Sequence, residues 1–367
     1  MDHKNKNIDK GKPVHGGNVW AASQRWGIAP ENFLDFSANI NLLGPSPKAI
    51  EVIQDSLGVL SHYPEPTGES FKICLSKFFN INSENIVLGN GGAELIYLVG
   101  RIFYKKRILL LAPTFSEYGE GIENPNIIYI GLDSKDSFML PTNEIIHNME
   151  KNDLIFIGNP NNPTGGIFPK EEIKKILETA VEKSAVVIID EAFIDFLGDE
   201  SYSVRYWVND YPNLIVVGSL TKFFAIPSLR LGYAIAARDT ALRMEYLLPT
   251  WRINTFALKA GEASINDKEY IQKTLNFVKE EREFLTKGLT SIKGLKVYPG
   301  AANYILVDGE SLGLTSGELQ ERLGPYGILI RKCASYYNLS PYYFRLGVKK
   351  REENIKLLET LKKVADI

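Results

Sequence analysis

Seven short apolar runs punctuate the chain between Ile86 and Ala236: Ile86–Leu88, Ile108–Leu111, Ile127–Ile130, Leu154–Ile157, Val186–Ile189, Leu214–Val217 and Tyr233–Ala236. All are rich in Ile, Val and Leu, as strands buried on both faces of a sheet are. Helix-length amphipathic segments lie between several of them, such as Ala93–Tyr104 and Lys170–Lys183. Strand, loop and helix repeated in this way predict a doubly wound α/β unit around a mostly parallel seven-stranded sheet.

A chain of 367 residues, 44% of them hydrophobic, is long enough to bury a full core and to divide into a large and a small domain. The expected division is an arm and substrate loop over 1–36, a large ligand-binding domain over 37–250 and a smaller α/β domain over 251–367. A net charge of −2 provides no global attraction to nucleic acid or acidic membranes. The expected partner is therefore a small molecule or a second copy of the chain. Two cysteines, Cys74 and Cys333, are too few for a disulfide framework or a zinc site, and four scattered histidines have no metal-ligand spacing. Met1 to Lys12 is polar and lysine-rich, unlike a signal peptide or membrane anchor, so the cytoplasm is the expected compartment.

In open α/β sheets ligands bind beyond the carboxyl ends of the strands, so the residues that follow each run carry the functional information. Gly89-Asn90-Gly91-Gly92-Ala93-Glu94 follows the first run and opens a helix, a turn whose amides suit a phosphate. The second is followed by Ala112-Pro113-Thr114-Phe115-Ser116-Glu117-Tyr118, which delivers an aromatic ring, and the fourth by Gly158-Asn159-Pro160-Asn161-Asn162-Pro163-Thr164-Gly165-Gly166. Asp190 ends the fifth, a carboxylate that burial makes costly unless it meets a cation. After the sixth come Ser219, Thr221 and Lys222, with Arg230 eight positions further on. A partly desolvated lysine beside a phosphate site can lose its proton and attack an aldehyde.

One ligand accounts for all of these groups. A heteroaromatic aldehyde carrying a phosphate needs an amine (Lys222), amides and hydroxyls for the phosphate (Gly91, Gly92, Ser219, Thr221) and an arginine for its charge (Arg230). It also needs an acid beside the ring nitrogen (Asp190), a donor to the ring oxygen (Asn162) and an aromatic to stack on the ring (Phe115). That inventory describes pyridoxal 5′-phosphate acting as an electron sink. Further along, Arg331 and Arg345 each adjoin an apolar run, a setting suited to bidentate recognition of carboxylate or phosphate.

Asn-Pro-Asn-Asn-Pro-Thr-Gly, Asp-Glu-Ala-Phe and Ser-Leu-Thr-Lys, in this order, resemble the class I/II aminotransferase superfamily of fold type I. The likeness runs from His15 to about Lys350. Tyr63-Pro64-Glu65-Pro66 is similar to the histidinol-phosphate aminotransferase branch. The segments His15-Gly16-Gly17-Asn18, Asp35–Asn41, Asp190–Phe196 and Thr221–Pro227 resemble the L-threonine-O-3-phosphate decarboxylases of cobalamin synthesis.

The resemblance implies that Lys222 forms the imine with the cofactor, Asp190 partners the ring nitrogen and Asn162 donates to the ring oxygen. It implies a homodimer with shared active sites, in which Tyr63 reaches the cofactor phosphate of the neighbouring protomer. It assigns the substrate carboxylate to Arg345 and the substrate phosphate to Arg331, with His15 and Asn39 completing the pocket. Many relatives place a tyrosine three residues after the aspartate; Phe193 stands there in this chain, which removes one donor to the ring oxygen and raises the imine pKa. The implied activity is decarboxylation of L-threonine O-3-phosphate. Histidinol-phosphate transamination and L-serine O-phosphate decarboxylation are the alternatives, because the same residues serve each and one methyl is worth only about 1–3 kcal/mol in a pocket.

Overall fold

The computed structural model describes residues 16–103, 107–120 and 126–365. After a short strand β1 (Leu34–Asp35), the seven expected strands form as β2 (Ile86–Gly89), β3 (Ile108–Ala112), β4 (Ile127–Gly131), β5 (Leu154–Gly158), β6 (Val186–Asp190), β7 (Leu214–Ser219) and β8 (Gly232–Ala236). They make one sheet in the order β2-β8-β7-β6-β5-β3-β4. β3 to β7 pair in parallel; β8 runs antiparallel to both β7 and β2.

The apolar runs are continuous because both faces are covered. On β7, Leu214 and Val216 join the core on one face while Ile215 and Val217 join the core on the other; on β6, Val187 and Ile189 face opposite to Val186 and Ile188. This is the two-residue side-chain period of a strand with no solvent face. Within this seven-stranded sheet, the edge strand β4 leaves much of its length partly exposed. The helices Gly92–Ile102 and Lys170–Glu182 form where amphipathic segments were expected, each with a buried apolar stripe.

Five further strands follow: β9 (Lys296–Val297), β10 (Tyr304–Asp308), β11 (Ile328–Leu329), β12 (Arg331–Lys332) and β13 (Tyr343–Gly347). Four of them make an antiparallel sheet in the order β12-β13-β10-β9, and β11 pairs in parallel with β1. That pairing ties the N-terminal segment to the C-terminal part of the chain. Phe36 is fully buried in the small-sheet core with Phe344 and Leu346. The apolar cores also run across position 250. Ala257, Leu258 and the first half of the helix Lys268–Thr290, with Tyr270 and Val278, pack in the large-sheet core, while Leu285 and Leu289 of the same helix pack in the small-sheet core. At about 34 Å, this helix is long enough to span both. Among the described residues no helix is long and apolar enough to cross a membrane.

Candidate active site

Parallel strands in register bring their carboxyl ends to one edge, and there the groups expected from sequence meet. Gly158 pairs with Asp190, and Asp190 with Val217. β7 ends at Ser219, which caps the short helix Leu220–Phe223; its Oγ lies 2.8 Å from Thr221 Oγ1. Lys222 follows within that turn and is half-buried in the cleft. Burial, and then the charges of Arg345 and Arg230, push its ammonium down to about 8, with Asp190 opposing. An amine there is deprotonated far more readily than a solvated lysine. Its backbone is fixed from the loop that follows β1: Asn41 N–H donates to the Lys222 carbonyl (3.1 Å), and Asn41 Nδ2 lies 2.9 Å from each of Phe223 O, Tyr270 Oη and Thr274 Oγ1.

Asp190 is buried, and burial raises its pKa against the opposing effect of its hydrogen bonds and of Lys222. Tyr118 Oη donates to its Oδ2 (2.7 Å) and Ala192 N–H to its Oδ1 (2.9 Å). Burial and the neighbouring carboxylate hold the Tyr118 phenol well above its ordinary pKa, so it remains a donor.

The helix Gly92–Ile102 begins with no side-chain cap, at Gly91 with φ 78°. Gly91 and the αL residue Arg230 are neighbours: a Cβ on Gly91 would stand 2.6 Å from Arg230 Nη2. On the next strand, a Cβ on Gly232 would lie 2.5 Å from the backbone of Gly91 and Gly92. This close approach keeps the bare amides of the helix start beside Ser219 and Thr221, as an anion cradle requires.

The opposite wall comes from the small sheet. Arg331 and Arg345 are directly opposed across β12 and β13, and both are buried. Arg345 Nη1 donates to Asn162 Oδ1 and Nη2 to the Ser37 carbonyl (3.0 Å), while Nε is buried with no hydrogen-bond partner among the described residues. Arg331 lies over the Tyr336 ring, 5.2 Å from its centroid, with Nη2 3.5 Å from Ser335 Oγ. Asn39 is buried in the same cleft, its Oδ1 also without a partner among the described residues. Unmet donors and acceptors of this kind suit a polar ligand.

The resulting cleft of about 510 Å³ gathers Asn39, Gly92, Phe115, Asn162, Asp190, Ser219, Thr221, Lys222, Arg230, Arg331 and Arg345, with Gly91 immediately behind Arg230. Its cations Lys222, Arg230, Arg331 and Arg345 outnumber its acids, Glu117 and Asp190, so it attracts anions. Tyr63 does not line it. That side chain is 81% exposed and stacks on Trp251 at 4.8 Å, facing outward. His15 lies outside the described residues. Phe193 sits edge-on to Tyr304 (4.9 Å) and brings no hydroxyl to the cleft. Two site residues were not legible beforehand. Tyr118, one helical turn beyond Phe115, shared a loop already singled out, whereas the Tyr336 hydroxyl, 3.2 Å from Asn162 Oδ1, had no local signal.

Residues 31–361 match the family described as aminotransferase class I and II. The chain belongs to this family. It is 34% identical over 355 residues to the threonine-phosphate decarboxylase of Salmonella typhimurium, covering 96% of each protein. It is 33% identical over 359 residues to a histidinol-phosphate aminotransferase of Methanococcus maripaludis strain C7, covering 96% of this chain and 95% of the relative. In fold it matches the histidinol-phosphate aminotransferase of Sinorhizobium meliloti, solved in complex with pyridoxal-5′-phosphate, with TM-score 0.84 at 18% identity, over 98% of this chain and 99% of that one. The chain is a pyridoxal 5′-phosphate-dependent enzyme of this family with the fold type I architecture. The residues present fit that group: an amine with a depressed pKa, a buried carboxylate one strand away and an uncapped helix start stand around one cleft.

Proposed function

We propose that this enzyme decarboxylates L-threonine O-3-phosphate to (R)-1-amino-2-propanol O-2-phosphate, with L-serine O-phosphate as the nearest competing substrate. The observation that carries this reading is the pair of buried arginines, Arg331 and Arg345, opposed on adjacent strands at one wall of the cleft. A substrate with a carboxylate and a phosphate on neighbouring carbons presents two anions to two guanidiniums, each able to bind bidentately.

When bound, the cofactor supplies the electron sink for the bond broken at the substrate's α-carbon. Lys222 Nζ would hold the cofactor's aldehyde, and its free amine would carry a proton to or from the substrate's α-carbon. Asp190 keeps a proton against the ring nitrogen, and Tyr118 and Ala192 hold the carboxylate in place. Asn162 donates to the ring oxygen, Phe115 covers the ring face, and Gly91, Gly92, Ser219, Thr221 and Arg230 bind the cofactor's phosphate. Arg345 takes the substrate carboxylate and Arg331 its phosphate, with Asn39 and His15 completing the pocket. The bond to the carboxylate breaks with its electron pair remaining at Cα, carbon dioxide leaves, and a proton is returned to Cα. Which bond breaks would be set by how Arg345 and Arg331 seat the substrate's two anions, a matter of about an ångström.

The outward-facing Tyr63 on Trp251 supports a homodimer in which Tyr63 of one protomer reaches the cofactor phosphate of its partner. We place the enzyme in the cytoplasm. The likeness to histidinol-phosphate aminotransferases at 33% identity favours a second reading, transamination of histidinol phosphate. The deciding experiment gives the cofactor-loaded protein L-threonine O-3-phosphate without any 2-oxo acid. Carbon dioxide released over many turnovers is the expected result. No release, together with turnover of histidinol phosphate only when 2-oxoglutarate is added, overturns the decarboxylase reading.

A further inference from the structure

We infer that Tyr336 is a positioning residue that fixes which end of the Asn162 amide faces the cofactor. An asparagine side chain can present either its carbonyl or its NH₂ to the cleft, and its neighbours decide which. Arg345 Nη1 meets the Asn162 amide at Oδ1, and a guanidinium has no acceptor, so the carbonyl must lie at that end. Tyr336 Oη, 3.2 Å away, is the second donor to the same oxygen. With Oδ1 engaged on the small-sheet side, Nδ2 is the atom left for an acceptor in the cleft, as a donor to the ring oxygen requires.

Two features of this chain make the second donor matter. The first is Phe193, which brings no hydroxyl from the other side, so donation to the ring oxygen depends on Asn162. The second is that Arg345 also faces the substrate. Its Nη1 is on Asn162, its Nη2 on Ser37 O, and its Nε has no partner among the described residues, so an arriving anion competes with Asn162 for the guanidinium. When it does, Tyr336 remains as a donor to Oδ1. Tyr336 is itself held: it is buried, and the Arg331 guanidinium lies over its ring. One side chain thus touches both the substrate wall and the cofactor wall.

The inference rests on the bound cofactor and not on which bond the enzyme breaks, so it stands or falls separately from the decarboxylase reading. The test is a pH titration of the visible absorbance of the cofactor-loaded enzyme in saturating acetate, a carboxylate that engages Arg345 without reacting, with Tyr336→Phe, Asn162→Ala and the double variant. A donor to the ring oxygen favours its ionised form and lowers the pH midpoint of that band. Tyr336→Phe is expected to raise the midpoint by about half a unit to one unit, the equivalent of one ordinary hydrogen bond. In the Asn162→Ala background the same change is expected to add nothing, because the residue it acts through is gone. An unmoved midpoint in Tyr336→Phe overturns the inference. So does a shift of equal size with and without Asn162, which would mean that Tyr336 acts on the cofactor by another route.

Discussion

The two walls of the cleft are built differently. On the large-sheet wall every chemically important group is already held: Asp190 by Tyr118 and Ala192, the Lys222 turn by Asn41, and the glycine turn by the close approach of Gly232. The small-sheet wall has spare capacity, with Arg345 Nε and Asn39 Oδ1 buried and unpartnered among the described residues. Groups that are satisfied in the protein are rigid and preorganised, whereas buried groups with unmet hydrogen bonds are stabilised by a ligand that meets them. Under the proposed assignment, catalytic power therefore belongs to the first wall and substrate choice to the second.

The most forceful way to break this comparison is Lys222→Ala. Turnover is expected to fall by at least ~10³-fold, and the visible absorbance of the loaded enzyme to disappear, with every substrate alike. A borohydride-trapped adduct at another lysine would show that the rigid wall has been assigned to the wrong amine. A sharper cut comes from Arg331→Ala, which should leave that absorbance intact while weakening phosphorylated amino acids about 10- to 100-fold in kcat/KM relative to unphosphorylated ones. Equal losses for both would make Arg331 structural and remove selectivity from the second wall.

The smallest effect is a pH dependence. Only the neutral amine attacks an aldehyde, and the folded-state pKa of Lys222 is depressed to about 8. Cofactor loading of the apoenzyme should therefore accelerate about tenfold per unit below pH 8 and gain only about twofold above it. Continued tenfold acceleration up to pH 10 would mean a solvated lysine and a first wall less dry than described. The linkage has the same sign. Between pH 8 and the ordinary lysine range the unfolded chain binds the proton that the folded apoenzyme has released, so this group's destabilisation is full below pH 8 and is relieved as pH rises.

Much of the first wall was legible because its residues follow their strands directly in the chain. Leu214 to Val217 reads as a buried strand, so Ser219, Thr221 and Lys222 must emerge at its end, and the same logic places Asp190 after Val186 to Ile189. Tyr118 escaped notice because its role depends on a carboxylate 72 residues away. The second wall was legible only in part. Arg331 and Arg345 could be singled out as arginines beside apolar runs, but that they face each other across two antiparallel strands is a matter of register. The hydrogen bond from Arg345 to Ser37 joins residues 308 positions apart.

By itself, then, the sequence determined the doubly wound sheet, the order of its functional loops and the cofactor they suit, because strand periodicity and strand-end position are local properties of the chain. Only the tertiary structure decided that β1 pairs with β11, that Asn41 ties down the Lys222 turn and that Tyr336 meets Asn162. Each of these is a contact between distant segments, set by how two cores pack around one helix, and short-range pattern carries no record of it.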